Sequence, residues 1–136
     1  MLSDLKSGLG LWGPVLVYMA LIFYTSSRPS LPLFRDTPDY LLHLGGYFVL
    51  GLLAVRAFGR GLPPREGSGA YLLGPVFALL YAVTDEWHQS FVPGREASWL
   101  DLLADGIGAS LAAAIVSLRW WGAAVERRGV EKVVKS

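Results

Sequence analysis

The sequence predicts an all-α, polytopic membrane protein: a bundle of four transmembrane helices in a single domain, residues 1–136, with both termini cytoplasmic. Three observations predict it. The chain is apolar, with 53% hydrophobic and only 17% charged residues, where a soluble domain carries about 25% charge. Four apolar stretches approach the length of about 20 residues that a bilayer crossing requires. Basic residues are shared unequally between alternate connections, the pattern that sets orientation in a membrane.

The first span covers residues 9–26, a nearly unbroken apolar run. Ser27, Arg28 and Pro29 follow it, with no small-x-small cleavage site, so it reads as a retained helix rather than a signal peptide. The second span, 40–58, is interrupted only by His43 and Arg56. The third, 70–91, turns polar at its end, and the fourth, 99–121, is rich in Ala and Gly. The connections are RPSLPLFRDTPD, the Gly/Pro-rich GRGLPPREGSG, and a tight VPGRE in which Pro93-Gly94 is a strong turn signal. Five tryptophans and 16 glycines suit interfacial anchors and closely packed helices.

With the N-terminus inside, nine of the 12 basic residues lie on the cytoplasmic side: Lys6, Arg56, Arg60, Arg65, Arg119, Arg127, Arg128, Lys132 and Lys135. Arg28, Arg35 and Arg95 fall on the other side. A net charge of +1 and the lack of a basic stripe before the C-terminal tail give no support for a nucleic-acid partner. There is no cysteine, which excludes disulfides, thiolate metal sites and cysteine nucleophiles.

The orientation gathers every chemically capable residue at the outer side. Asp39 and His43 open the second span there; Asp85, Glu86, His88 and Gln89 close the third; Arg95 stands in the turn; Asp101 and Asp105 open the fourth. Ionisable groups at a membrane edge are costly and commonly mark a site. Helical spacing sorts them into facets: Asp39, His43 and Tyr47 at i, i+4, i+8; Asp85, His88 and Gln89 at i, i+3, i+4; Asp101 and Asp105 in line with Gly108 and Ala112. Neighbouring positions on a helix diverge, so at most one of Asp85 and Glu86 is expected to face the centre.

Each residue also has a structural reading. His43 fits a neutral imidazole satisfied by a tyrosine or a carbonyl, and Glu86 a solvated interfacial carboxylate. Asp101 fits a carboxylate stabilised by the helix dipole in the first turn of the fourth span. Arg95 fits a clamp paired with Asp85, Asp101 or Asp105, or a bidentate ligand for an anionic head group. Two histidines and several carboxylates can supply N and O ligands to a divalent metal. The HExxH motif and a His pair at i, i+4 are absent, however, and no metal site or other cofactor is assigned. Ser90 and Ser98 lie in no nucleophile elbow. A His–carboxylate pair acting as general acid and base is the remaining catalytic chemistry.

The segments YTSSRP, PDYLLHLGGYFVLG and above all DEWHQSFVPGREASWLDLLADGIGA carry a resemblance. Over about residues 20–112 the chain resembles the VanZ-like family of small bacterial membrane proteins, named for an accessory protein of a glycopeptide-resistance cluster. The resemblance implies a multi-helix integral protein of the bacterial cytoplasmic membrane and, for the founding member, a contribution to teicoplanin resistance. Two positions depart from the family pattern: Tyr40 stands where Lys is usual, and Asp105 where Asn is usual. They remove a cation and add an anion, which weakens a site for anions and strengthens one for a cation or proton.

The expected function is an outward polar pocket that binds, and in one version modifies, a lipidic or lipoglycopeptide-related envelope molecule, with the bilayer as the other partner. As an enzyme it would use His43 and His88 as acid and base, with Asp39 and Asp85 orienting them. Arg95, Gln89, Glu86, Asp101, Asp105 and Tyr47 would contact the ligand. The rivals are a non-catalytic module in which the same residues lock the helices together, and a small ion- or solute-translocating oligomer.

Overall fold

A computed structural model describes residues 2–29 and 36–134, with side-chain surroundings for 7–29 and 36–122. Arg35 and the side chains of Lys6, Arg127, Arg128, Lys132 and Lys135, which enter the charge count above, lie outside that range. The described residues form four helices and no strand: α1 (Leu2–Ser26), α2 (Asp39–Phe58), α3 (Ala70–Gln89) and α4 (Trp99–Val134). The helices start or stop several residues away from the apolar limits in three places. α1 begins at Leu2 rather than residue 9, α3 stops at Gln89 rather than 91, and α4 runs on to Val134 rather than 121. At α1 and α4 backbone hydrogen bonding continues past the apolar residues, whereas at α3 it tightens after Gln89 into i→i+3 bonds at Phe91 and Val92, so that helix ends early.

Three helices contain a stretch long and apolar enough to cross a membrane: Ser7–Ser26, Asp39–Phe58 and Trp99–Gly122. α3 matches α2 in length, but its last turns hold Thr84, Asp85, Glu86, His88 and Gln89, and it does not reach the same apolarity.

The packing inverts that of a soluble bundle. The buried positions hold Ala54, Ala78, Ala82, Ala109 and Ala112, while Leu16, Val17, Leu72, Leu80, Leu118 and Trp121 stand exposed. Small residues let the backbones approach in a solvent where apolar burial alone gives no advantage. A Cβ added to Gly108 would run into the Leu44 carbonyl oxygen, and one on Gly51 would lie 2.7 Å from Ala109 Cα. Those two contacts bring α2 and α4 together, and Gly74 brings α3 against Val55 in the same way.

α2 is central and touches all three other helices, whereas α1 touches α2 and α3 only. Only 6% of the α1 span is buried, against 39% for α2 and 44% for α4. α1 therefore rests on the edge of a tight α2–α3–α4 core. At one end it is held by Trp12, whose ring meets Phe58 and Phe77 at 5.0 and 5.8 Å. Near its middle the Tyr81 hydroxyl donates to the Met19 carbonyl at 2.7 Å.

Candidate functional site

The up-and-down helix order gathers the end of α1, the start of α2, the end of α3 and the start of α4 at one end of the bundle. Two short-range features shape that end. The chain leaves α3 through tightened hydrogen bonds, Phe91 N–H to the His88 carbonyl and Val92 N–H to the Gln89 carbonyl. It then turns at Pro93-Gly94, with Gly94 at φ 83° and Arg95 N–H donating to the Val92 carbonyl. Positive φ is the conformation that glycine accepts without a steric penalty. The turn delivers Arg95 back over the helix ends.

The polar residues form two groups. In the first, Ser26 Oγ donates to Asp85 Oδ2 at 2.9 Å, and Gln89 Nε2 donates to the same oxygen at 3.2 Å. Gln89 Oε1 accepts from Arg95 Nε at 3.1 Å, and Arg95 reaches Asp39 Oδ2 at 3.0 Å. This line of contacts runs from α1 through α3 and the turn to α2. In the second group, His43 Nδ1 lies 3.0 Å from Asp105 Oδ1 and 3.7 Å from Glu86 Oε1. The other Glu86 oxygen accepts from the Ser98 backbone N–H at 2.8 Å, at the start of α4. The His43 ring stacks on Tyr47, nearly parallel at 6.2 Å.

Several expectations need correction here. Asp85 and Glu86 are both buried, not one of them. Successive residues diverge by about 100° around a helix, but α3 has neighbours on both sides, so Asp85 meets Ser26 of α1 while Glu86 meets the start of α4. Arg95 pairs with Asp39 and Gln89 instead of Asp85, Asp101 or Asp105. The Arg95 and Asp39 side chains are 15% and 43% exposed, so they pair at the rim, where desolvation costs less than beside the fully buried Asp105. His88 leaves the cluster: its ring lies 4.4 Å from that of Phe23, and its Nδ1 is buried without a partner. It keeps the α1-facing side of α3 with Asp85, which meets Ser26 one turn away, but makes no hydrogen bond to the cluster among the described residues.

The structure does bring together Asp39, His43, Tyr47, Asp85, Glu86, Gln89, Arg95, Asp101 and Asp105. Ser26 and Ser98 join them; both lie in the segments that carry the resemblance, though neither is among the expected site residues. Five buried side-chain atoms lack a hydrogen-bond partner among the described residues: Tyr47 Oη, Asp85 Oδ1, Glu86 Oε1, His88 Nδ1 and Asp105 Oδ2. All but His88 Nδ1 belong to the cluster. Among the described residues, two sets have ligand atoms close enough to share a metal ion: Asp39, His43 and Asp101; and His43, Glu86 and Asp105.

A cavity of about 580 Å³ opens beside the first group, between α1 and α2. One wall is apolar, with Tyr18, Leu21 and Ile22; the other carries Asp39, His43, Tyr47, Asp85 and Arg95. Leu21 is exposed on the outer surface of α1, so the apolar wall reaches the face that lipid would cover. A second hollow of about 810 Å³, between α3 and α4, is almost wholly apolar.

A family model described as VanZ/LLP1 matches residues 11–120, which takes in α2 and α3, most of α1, the first part of α4 and the whole cluster. No curated protein and no solved structure matches the chain.

Proposed function

The chain belongs to the VanZ/LLP1 family, and we propose that it crosses the bacterial cytoplasmic membrane four times with both termini inside. Its outward cavity binds a lipid-tailed molecule of the cell envelope. The observation that carries this reading is the divided lining of the α1–α2 cavity, apolar along Tyr18, Leu21 and Ile22 and ionic at Asp39, His43 and Arg95. At about 580 Å³ it lies within the usual range of about 300–1,000 Å³ for ligand pockets. An acyl chain would lie against α1, and the polar part would meet the Arg95–Asp39 rim. α1 is the loosely held helix, which suits lateral entry from the bilayer. Where binding leads on to chemistry, His43 held by Asp105 is the general acid–base group.

One observation favours a second reading, a helix lock without ligand. The contacts from Ser26 through Asp85, Gln89 and Arg95 to Asp39 tie three helix ends together. Leu21→Trp separates the two readings, because it narrows the cavity and touches none of those bonds. The experiment is photocrosslinking of protein in nanodiscs with a lipoglycopeptide bearing a photoreactive acyl tail, against the same glycopeptide without the tail. Pocket binding predicts tail-dependent labelling of α1 that Leu21→Trp abolishes without a change in melting temperature. Labelling that ignores both the tail and Leu21→Trp would leave the lock.

A further inference from the structure

We propose that His43, Glu86 and Asp105 form a site for a divalent transition-metal ion between α2, α3 and α4. It adjoins the cavity but does not depend on the cavity's ligand; an ion on His43 Nδ1 would take the place of the proton shared with Asp105, so His43 acts either as metal ligand or as acid–base group.

The geometry comes first. Two donors bound at about 2.1 Å to one ion stand about 3 Å apart at octahedral angles and about 3.4 Å apart at tetrahedral ones. His43 Nδ1 is 3.0 Å from Asp105 Oδ1 and 3.7 Å from Glu86 Oε1, and the three ligand atoms lie within 4.8 Å of one another. The His43–Asp105 spacing already matches, and Glu86 would close toward the other two to seat an ion. The donors come from three helices and are fixed from behind: Glu86 by the Ser98 N–H, and His43 by its stack on Tyr47. Asp105 sits where Gly108 and Gly51 draw α2 and α4 together.

A second observation is independent of that spacing. Glu86 Oε1 and Asp105 Oδ2 are buried with no hydrogen-bond partner among the described residues. Their side chains are 9% and 0% exposed, and that of His43 is 6% exposed. Buried carboxylate oxygens are strongly disfavoured unless a donor, a proton or a cation meets them. Arg95 is engaged at the rim with Asp39 and Gln89, so it does not serve this group. Asp85 and Asp101 are buried nearby and add further negative charge. An imidazole with two carboxylates suits zinc, manganese or ferrous iron. Calcium prefers six to eight oxygens and magnesium a largely hydrated shell. Three protein ligands also leave room for water or a ligand oxygen, as in catalytic rather than structural metal sites.

The test uses the full chain in detergent, stripped with a chelator and titrated with Co²⁺, with Zn²⁺ as competitor and Mg²⁺ and Ca²⁺ as controls. The expected result is one Co²⁺ per chain with a visible ligand-field band, displaced by Zn²⁺ and unaffected by Mg²⁺ or Ca²⁺. Glu86→Gln and Asp105→Asn should each weaken binding by more than about a hundredfold, since loss even of an outer-shell partner costs about 10–100-fold. Asp39→Asn should leave it unchanged. Should the variants not fold, a Zn²⁺-dependent rise in the wild-type melting temperature, absent with Mg²⁺, still supports the site. No saturable Co²⁺ binding by helical wild-type chain would overturn the proposal, as the carboxyl groups would then be neutralised by protons. Binding that survives both carboxylate changes, or falls equally with Asp39→Asn, would overturn the assignment of these ligands.

Discussion

Gln89 joins Asp85 to Arg95: its amide donates to Asp85 Oδ2 at 3.2 Å while its carbonyl oxygen accepts from Arg95 Nε at 3.1 Å. The side chain is almost wholly buried, so its amide orientation is set by an anion on one side and a cation on the other. Gln89→Leu keeps the bulk and removes both bonds. It should lower stability in detergent by about 1–3 kcal/mol, the cost of leaving buried polar groups less satisfied. The measurement is thermal unfolding followed by circular dichroism. A melting temperature equal to that of the wild type would mean that the line from Ser26 to Asp39 carries no stability.

Arg95→Lys probes the next link. Lysine keeps the charge but loses the planar fork that lets Arg95 reach Gln89 and Asp39 together. The Arg95–Asp39 pair is partly exposed, so stability should fall by no more than about 1 kcal/mol. Affinity for a lipid-tailed ligand should fall more, because that ligand's polar part is expected at this rim. Equal loss of melting temperature and binding would favour the lock over the pocket.

The α2–α4 contact makes a sharper stability prediction. Gly108→Ala would press a methyl group into the Leu44 carbonyl and within 3.0 Å of Phe48 N, both backbone atoms that cannot move aside cheaply. A loss of about 1–3 kcal/mol is expected, typical of overpacking. Gly45 has nothing within 4 Å of an added Cβ. Gly45→Ala should be neutral or stabilising by up to about 1 kcal/mol, because alanine costs less backbone entropy in a helix. Similar melting temperatures for the two variants would remove close packing at Gly108 as the reason for the α2–α4 approach.

The same contacts show what the sequence could reveal. The i, i+4 spacing placed Asp39, His43 and Tyr47 on one facet, and Asp101, Asp105, Gly108 and Ala112 on another. Those patterns are local, and each helix imposes them alone. The burial of Glu86 depends on α3 lying between two neighbours, and the choice of Asp39 by Arg95 depends on relative depth. Neither property has a period. The apolar wall of the expected pocket escaped for a similar reason, since it arises from the loose seating of α1, and Tyr18, Leu21 and Ile22 read simply as span residues.

His88 is the candidate whose side chain makes no hydrogen bond to the cluster among the described residues. Its ring packs on Phe23, and its Nδ1 has no partner among the described residues. His88→Ala should forfeit about 0.5–1.5 kcal/mol of ring packing. Part of that is recovered by removing a buried nitrogen without a partner. Co²⁺ binding and tail-dependent crosslinking should both persist. A loss of either in a folded His88→Ala protein would return His88 to the site and require α1 and α3 to rearrange.

Orientation decides whether the cavity can meet an envelope molecule at all, and the chain's lack of cysteine makes it directly measurable. Asp36 and Glu96 are exposed in the connections at the cluster end, and Glu66 is exposed in the α2–α3 connection at the other. Asp36→Cys and Glu96→Cys should react with an impermeant maleimide on intact cells, and Glu66→Cys only after the membrane is opened. The reverse pattern would turn the cluster toward the cytoplasm and end the envelope-ligand reading. Equal labelling at positions 66 and 96 would mean that α3, the one described helix without a stretch apolar enough to span by composition alone, does not cross. Crossing is physically reasonable for it because Asp85, Glu86 and Gln89 are buried against other helices rather than lipid, so its polar end is paid for by the bundle.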